Sequence, residues 1–195
     1  MGRLVVSNIV SLDGFYEGPG KDVMALPMDD AFDVFNANCL KSATTLLLGR
    51  LSYKLFSGYW PAVADDPNTT SIQKDVSRLM NRVDKLVVSD SMEASSSELW
   101  HSTRVIRRAD VARAVAKIKQ EKTGNILVFG SHTMWSGLLR ESLIDEFHFM
   151  IAPVVLGEGT RLFDDRIHHS FRLLDGPESF PGSDNVVLRY LLANA

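Results

Sequence analysis

Short apolar runs alternate along the chain with stretches whose apolar residues recur every three or four positions. Leu4 to Val10, Thr44 to Leu48, Lys85 to Ser89 and Ile126 to Phe129 are the runs. Several lack polar alternation, the pattern of strands covered on both faces. Helical spacing links Met28, Phe32, Phe35 and Cys39, and again Ile72, Val76, Leu79, Met80 and Val83. Val111, Ala114, Val115 and Ile118 fit one helix face, with Asp110 as its N-cap and Gly124 as its stop. Met134, Trp135, Leu138 and Leu139 mark a further helix just after Gly130.

The last third changes character. Phe147, Phe149 and Ile151 alternate with His148 and Met150. Phe171 to Leu174 and Val186 to Leu192 are strand candidates joined by a Gly/Pro-rich turn from Gly176 to Gly182. No helix separates these two, which predicts antiparallel pairing. The sum is an α/β fold with a mostly parallel central sheet and an antiparallel C-terminal edge. Asp65 to Thr70 and Asp90 to Ser97 read as polar surface loops, too short to separate domains.

Composition narrows the function. A chain of 195 residues predicts one domain, 1–195, able to bury about 70% of its unfolded surface. A formal net charge of −3 argues against a broad basic footprint, so no nucleic-acid partner is expected. The single cysteine, Cys39, leaves no disulfide framework and no cysteine-rich zinc site, and no metal is expected. Cytoplasmic location follows as an expectation. No apolar run approaches the roughly 20 residues of a membrane span, and the N-terminal residues lack a signal peptide's apolar region and cleavage site.

In open α/β sheets, ligands gather outside the carboxyl ends of the strands. Three such ends carry useful chemistry: Gly49-Arg50-Leu51-Ser52, Ser89-Asp90-Ser91, and Gly130-Ser131-His132 leading into a helix. A glycine there lets backbone approach a ligand, and the amides that open the next helix can bind phosphate. Arg50 offers a planar fork of donors suited to a phosphate monoester, and Ser52 and Ser89 offer hydroxyls. Two phosphate-binding ends on one sheet point to a dinucleotide. Taken singly, each end is also explained by a tight turn, a surface arginine or a serine N-cap. There is no G-x-G-x-x-G and no Walker loop, and Gly157-Glu158-Gly159 is only a fragment of the former.

Four segments, in order, resemble the dihydrofolate-reductase-like fold, and more closely its branch typified by the RibD C-terminal reductase domain of riboflavin biosynthesis. Ser11-Leu12-Asp13-Gly14 resembles that branch's S-x-D-G signature, and Leu48-Gly49-Arg50-Leu51-Ser52-Tyr53, continuing to Tyr59-Trp60-Pro61, resembles its G-R-x-[ST]-[YW] motif. Val128-Phe129-Gly130-Ser131 resembles its glycine pair. Asp145-Glu146-Phe147 through Ala152-Pro153-Val154-Val155-Leu156-Gly157-Glu158-Gly159 resembles its D-E…P-V-[VL]-L-G-x-G block.

The resemblance implies a three-layer α/β/α fold and NADPH as hydride donor to a C=N or C=O group of a small heterocyclic or ribosyl substrate, as in 5-amino-6-(5-phosphoribosylamino)uracil reductase. It implies that Arg50, Ser52 and Ser89 hold the adenosine phosphates, including the 2′-phosphate, with Gly49 and Leu51 also at the cofactor, and that Gly130, Ser131 and the next helix start, with His132 and Met134, hold the pyrophosphate. Ile9 to Ser11 would receive the nicotinamide. Asp13, by its place on the loop after the first strand, is the candidate to hold or polarise the substrate, and Gly14, Trp60 and Pro153 are candidates to line its pocket. It also implies a homodimer. No H-x-E…P-C-x-x-C deaminase signature accompanies the domain in this sequence. A weak dihydrofolate reductase and a non-catalytic NADP-binding sensor or scaffold are the competing readings. Asp29 and Asp30 are accounted for by a helix N-terminus. Asp13-Gly14 reads equally as a turn dipeptide. Cys39 reads as core, Trp60 as core or pocket wall, His148 as packed, and Glu158 and His168-His169 as surface.

Overall fold

The computed structural model describes residues 2–92, 100–121, 123–163 and 168–193. In chain order they form β1 (Leu4–Ser11), β2 (Phe15–Glu17), α1 (Asp30–Ser42), β3 (Ala43–Gly49), α2 (Arg50–Val63), α3 (Ser71–Arg82), β4 (Asp84–Val88) and β5 (Thr103–Ile106). There follow α4 (Val111–Glu121), β6 (Asn125–Phe129), α5 (His132–Arg140), β7 (Glu146–Ala152), β8 (Thr160–Arg161), β9 (Phe171–Leu173), β10 (Glu178–Ser179) and β11 (Val186–Leu192).

The main sheet runs β10-β11-β7-β1-β6-β3-β4-β5, with β9 also on β11. From β7 to β5 every pairing is parallel. β11 pairs antiparallel with β7, β9 and β10, as the last third of the sequence predicted for β9 and β11. β1, β3, β4 and β6 therefore deliver their carboxyl ends to one edge. β2 and β8 pair separately, just beyond that edge.

The missing polar alternation now has its physical cause. Val5 and Ile9 of β1, Leu46 and Leu48 of β3 and Met150 of β7 join one core with Phe35, Tyr53, Val76 and Met80 from α1, α2 and α3. Leu4, Val6 and Val10, Leu47 and Phe147 face the other way, into a core with Val115 of α4 and Trp135 and Leu139 of α5. Helices cover both faces, so both residue parities must be apolar. This is the three-layer α/β/α arrangement of the dihydrofolate-reductase-like fold.

Local signals set the helix starts. The Asp29 side chain accepts from Phe32 N, and Thr70 and Gln73 form a reciprocal capping box for α3. Asp110 differs from expectation: it lies inside a 3₁₀ turn, Arg108–Asp110, that runs straight into α4, so it does not cap the helix. Gly124 does follow α4, and a Cβ there would stand 2.3 Å from Thr44 Cγ2. Helix α2 escapes the periodicity because Leu51, Leu55 and Tyr59 face solvent and only Tyr53 and Val63 are buried. β5 and β10 are likewise unanticipated. The first is a half-buried edge strand, and the second lies within the Gly/Pro-rich turn. Of the polar stretch 90–97, residues 93–97 lie outside the described residues.

A buried cation closes the far end of the sheet. Lys85 is 1% exposed, donates to Asn81 O (3.0 Å) and His101 O (3.1 Å), and lies 4.3 Å from the Trp100 ring centroid. Burial pulls its pKa down to about 8. The Asn81 carbonyl belongs to the last turn of α3, where a cation is favoured. No described helix is long and apolar enough to cross a membrane.

Candidate active site

Two strand–helix junctions meet at the shared edge. β3 ends at Gly49 and α2 begins at Arg50; β6 ends at Phe129 and α5 begins at His132. Gly49 N donates to Ser131 Oγ at 3.0 Å, and Ser131 Oγ donates to Ser52 Oγ at 3.0 Å. Gly130 (φ 55°) and Ser131 (φ 55°) both adopt left-handed backbone, which turns the chain sharply from strand into helix. The opening amides of α2 and α5 lack intrahelical partners by geometry and carry the positive ends of two dipoles. Arg50 is exposed and forms no ion pair among the described residues.

The strand register extends this edge sideways. Gly49 is opposite Val88, and Val88 is opposite Ile106, so Arg50, Ser89 and Arg107 each follow one of three neighbouring strand ends. Ser89 is buried, and its Oγ accepts from Ser91 N (3.3 Å) and Met92 N (3.0 Å) and donates to none of the described residues. Arg107 donates to Asp90 O, while Arg108 pairs with the Asp90 carboxylate at 3.6 Å. Sequence reading missed Arg107 and Arg108. The signal was present, an apolar pair at Val105-Ile106 ahead of two arginines, but β5 is too short and too exposed to register as a strand.

The loop after β1 is built around Asp13. Its Oδ1 accepts from Ser11 Oγ (2.6 Å) and Leu156 N (3.1 Å), and its Oδ2 accepts from Gly157 N (2.7 Å). The Ser11 hydroxyl, followed by the two amides, holds the carboxyl down at about 2. Asp13 thus ties its own loop to the loop after β7. Leu12 N adds a bond to Val154 O, and Thr160 Oγ1 donates to Glu17 Oε1 at 2.5 Å. Both Asp13 oxygens are engaged in this tie, and the carboxylate is ionised at neutral pH.

The remaining predicted residues divide. Ile9 and Ser11 are buried at the end of β1, and Gly14 (φ 85°) turns the loop. Leu51 is exposed on α2, and Pro153 is exposed directly after β7. Trp60 is half-buried against the α1–α3 core and edges onto Tyr59, so much of its surface is packing. The His132 ring stacks on Tyr16 at 4.8 Å and lies 2.8 Å from Leu162 O, which fixes α5 to the β2 loop. Met134 packs beneath Gly49.

Several other residues have structural employment. His148 lies 3.0 Å from Glu146 Oε2 and 3.8 Å from Cys39 Sγ, a packed histidine. That bond to His148 leads the causes that lower the Glu146 pKa. Burial pushes the Cys39 thiol up to about 12, which makes it inert at neutral pH. Asp29 accepts from Ser183 Oγ and Asn185 Nδ2, and burial raises the Asp33 pKa while Gln73 bonds it. Glu158 is exposed.

Comparison with known proteins follows the same lines. The uncharacterized protein YyaP of Bacillus subtilis (strain 168) is 30% identical over 163 residues, 84% of this chain and 81% of that protein. A putative riboflavin biosynthesis protein from Shewanella sp. PV-4 superposes with a TM-score of 0.71 at 18% identity, covering 100% of both chains. Acinetobacter baumannii RibD gives 0.66 at 17% identity, and this chain spans 58% of it. Dihydrofolate reductase from Enterococcus faecalis, complexed with NADP(H), gives 0.61 at 13% identity over 99% of this chain and 98% of that one. These likenesses establish the fold. The family model described as the RibD C-terminal domain matches residues 3–175, and the chain belongs to that family.

Proposed function

We propose that the protein is an NADPH-dependent reductase that transfers hydride to a C=N or C=O group of a small heterocyclic or ribosyl substrate, in the manner of 5-amino-6-(5-phosphoribosylamino)uracil reductase. One observation carries the reading: Gly49, Ser52 and Ser131 touch, and Arg50, Ser89 and Arg107 directly follow the neighbouring strand ends Gly49, Val88 and Ile106. The donor set fits a dinucleotide carrying an extra phosphate. Two neighbouring helix N-termini suit a diphosphate, and the Arg50 guanidinium, without an ion pair among the described residues, suits a monoester. The nicotinamide supplies the hydride when bound; the protein supplies position and electrostatics.

Within that reading each residue has a defined task. Arg50 and Ser89 bind the ribose phosphate, with Arg107 adjacent. The amides at Gly130 to His132 hold the diphosphate. Backbone of Ile9 to Ser11 receives the ring, and the loops around Leu12 and Val154 exclude water from it. Asp13 is a positioning residue: ionised and tied to two amides, it holds those loops together and passes no proton at neutral pH. The proton comes from solvent or substrate. The dihydrofolate reading gains nothing from α1, because Asp29 and Asp33 are committed to Ser183, Asn185 and Gln73. NADPH consumption across a panel of imines, carbonyls and ribosylated pyrimidines tests the reading. Tight NADPH binding without turnover on any of them would favour the sensor.

Asp13 gives a pH prediction. Its folded carboxyl lies near 2, below the ordinary 3.8, so its stabilisation is complete above about pH 4 and is lost as pH falls through about 2. Asp13→Asn is expected to flatten that acid limb and to speed amide exchange at Leu156 and Gly157. Thermal melts between about pH 2 and 5 read the first, and hydrogen exchange the second. An unchanged acid limb contradicts the assignment.

The reading includes a homodimer in the cytoplasm. β9 and β11 present half-buried Phe171, Tyr190 and Leu192 beside Leu173, which is 46% exposed. Such a face on an antiparallel edge suits a second copy. Leu173→Asp is expected to convert a particle of twice the chain mass into one of single mass by light scattering. A dimer that survives the substitution contradicts this face.

A further inference from the structure

Ser131 occupies left-handed backbone (φ 55°, ψ 34°) directly after Gly130. A residue with a Cβ adopts this conformation at a cost that glycine avoids. The side chain therefore sits at a strained position, and its hydroxyl both accepts and donates there. It accepts from Gly49 N at 3.0 Å and donates to Ser52 Oγ at 3.0 Å. Gly49 opens α2 without any side chain of its own to cap it. The hydroxyl from the neighbouring junction ties down that start. Ser52 Oγ accepts in this chain and donates to no other described residue.

We propose that the Ser131 side chain is a positioning group that acts through Ser52, rather than a direct phosphate ligand. The relay runs from Gly49 N–H to Ser131 Oγ–H to Ser52 Oγ–H, and its last proton meets the diphosphate of the dinucleotide. Each donor in such a chain polarises the next, so Ser52 donates more strongly than an isolated hydroxyl. The same bridge fixes the separation of the α2 and α5 N-termini, so that both face one anion. A Cβ added at Gly130 would stand 3.7 Å from Ser52 Oγ, a measure of how closely the two junctions approach. This inference rests on the NADPH reading above and assigns Ser131 a task distinct from that of Arg50.

The test is a double-mutant cycle on the full chain, with NADPH affinity read by calorimetry and stability by thermal melting. Ser131→Gly removes the hydroxyl and the backbone strain together, so its Tm is expected to hold or rise. Ser131→Gly and Ser52→Ala are each expected to weaken NADPH about five- to tenfold, and the double variant to bind within about twofold of either single. Wild-type affinity in Ser131→Gly overturns the proposal. So do single effects that multiply, and so does a binding loss that appears only with a lowered Tm. A wild-type protein that binds no NADPH overturns the functional reading itself, and the relay with it.

Discussion

Arg50→Ala is expected to weaken NADPH binding about 10- to 100-fold while leaving NADH within about twofold. Arg50 is the first residue of α2, exposed, and free of any ion pair among the described residues. Its removal therefore breaks no ion pair among the described residues and is expected to cost little stability. A charge-assisted bond to a phosphate monoester contributes about 1.5–3 kcal/mol, which sets the size of the effect. NADH lacks that phosphate, so the loss falls on NADPH alone and the preference collapses. Arg50→Lys should recover part of it, since the charge returns without the bidentate fork. Calorimetric titration with both nucleotides measures this. Equal weakening of the two would place Arg50 on the diphosphate instead.

Gly159→Ala should damage the opposite end of the site. Gly159 has φ 136°, and a Cβ there would stand 2.2 Å from Glu17 O and 3.1 Å from Gly18 Cα. These are backbone atoms of β2 and its exit, so no side-chain rotation relieves the overlap. The β2–β8 pair must separate, and the Thr160–Glu17 bond and the Asp13 tie lie on the same two loops. The expected cost is about 2–4 kcal/mol, a fall in Tm of roughly 5–15 °C. Turnover should fall more than about tenfold, because these loops are the ones proposed to shield the ring end. NADPH affinity should change less than about threefold, because the proposed phosphate contacts lie at the ends of β3, β4 and β6. A Tm within about 2 °C of wild type would mean that the loop accommodates the methyl group.

How much of this was legible depended on where the information lay. The strands were readable because burial on both faces leaves continuous apolar runs, as at Leu46-Leu47-Leu48. Helix α3 was readable because Val76 and Met80 share one buried face above an exposed one. Helix α2 was not, since Leu51 and Leu55 turn their apolar surface to solvent and the buried set is too sparse to make a stripe. Missing β5 then hid Arg107, whose place beside Ser89 exists only through strand register. That the strand ends are neighbours was legible, because parallel strands must emerge on one edge. The tie between Asp13 and Gly157 spans 144 positions, so no local spacing could show which use that carboxylate had.

The most direct test is hydrogen exchange across the whole chain with and without NADPH. Protection should concentrate at 49–52, 89–92 and 130–134, with a smaller effect at 9–14. The N-terminal ends of the strands, where Ala43, Thr44, Arg82, Val83 and Asp84 line a shallow cleft, should be unaffected. Protection at that cleft instead, or no protection at saturating nucleotide, would contradict a dinucleotide held across the β3 and β6 junctions.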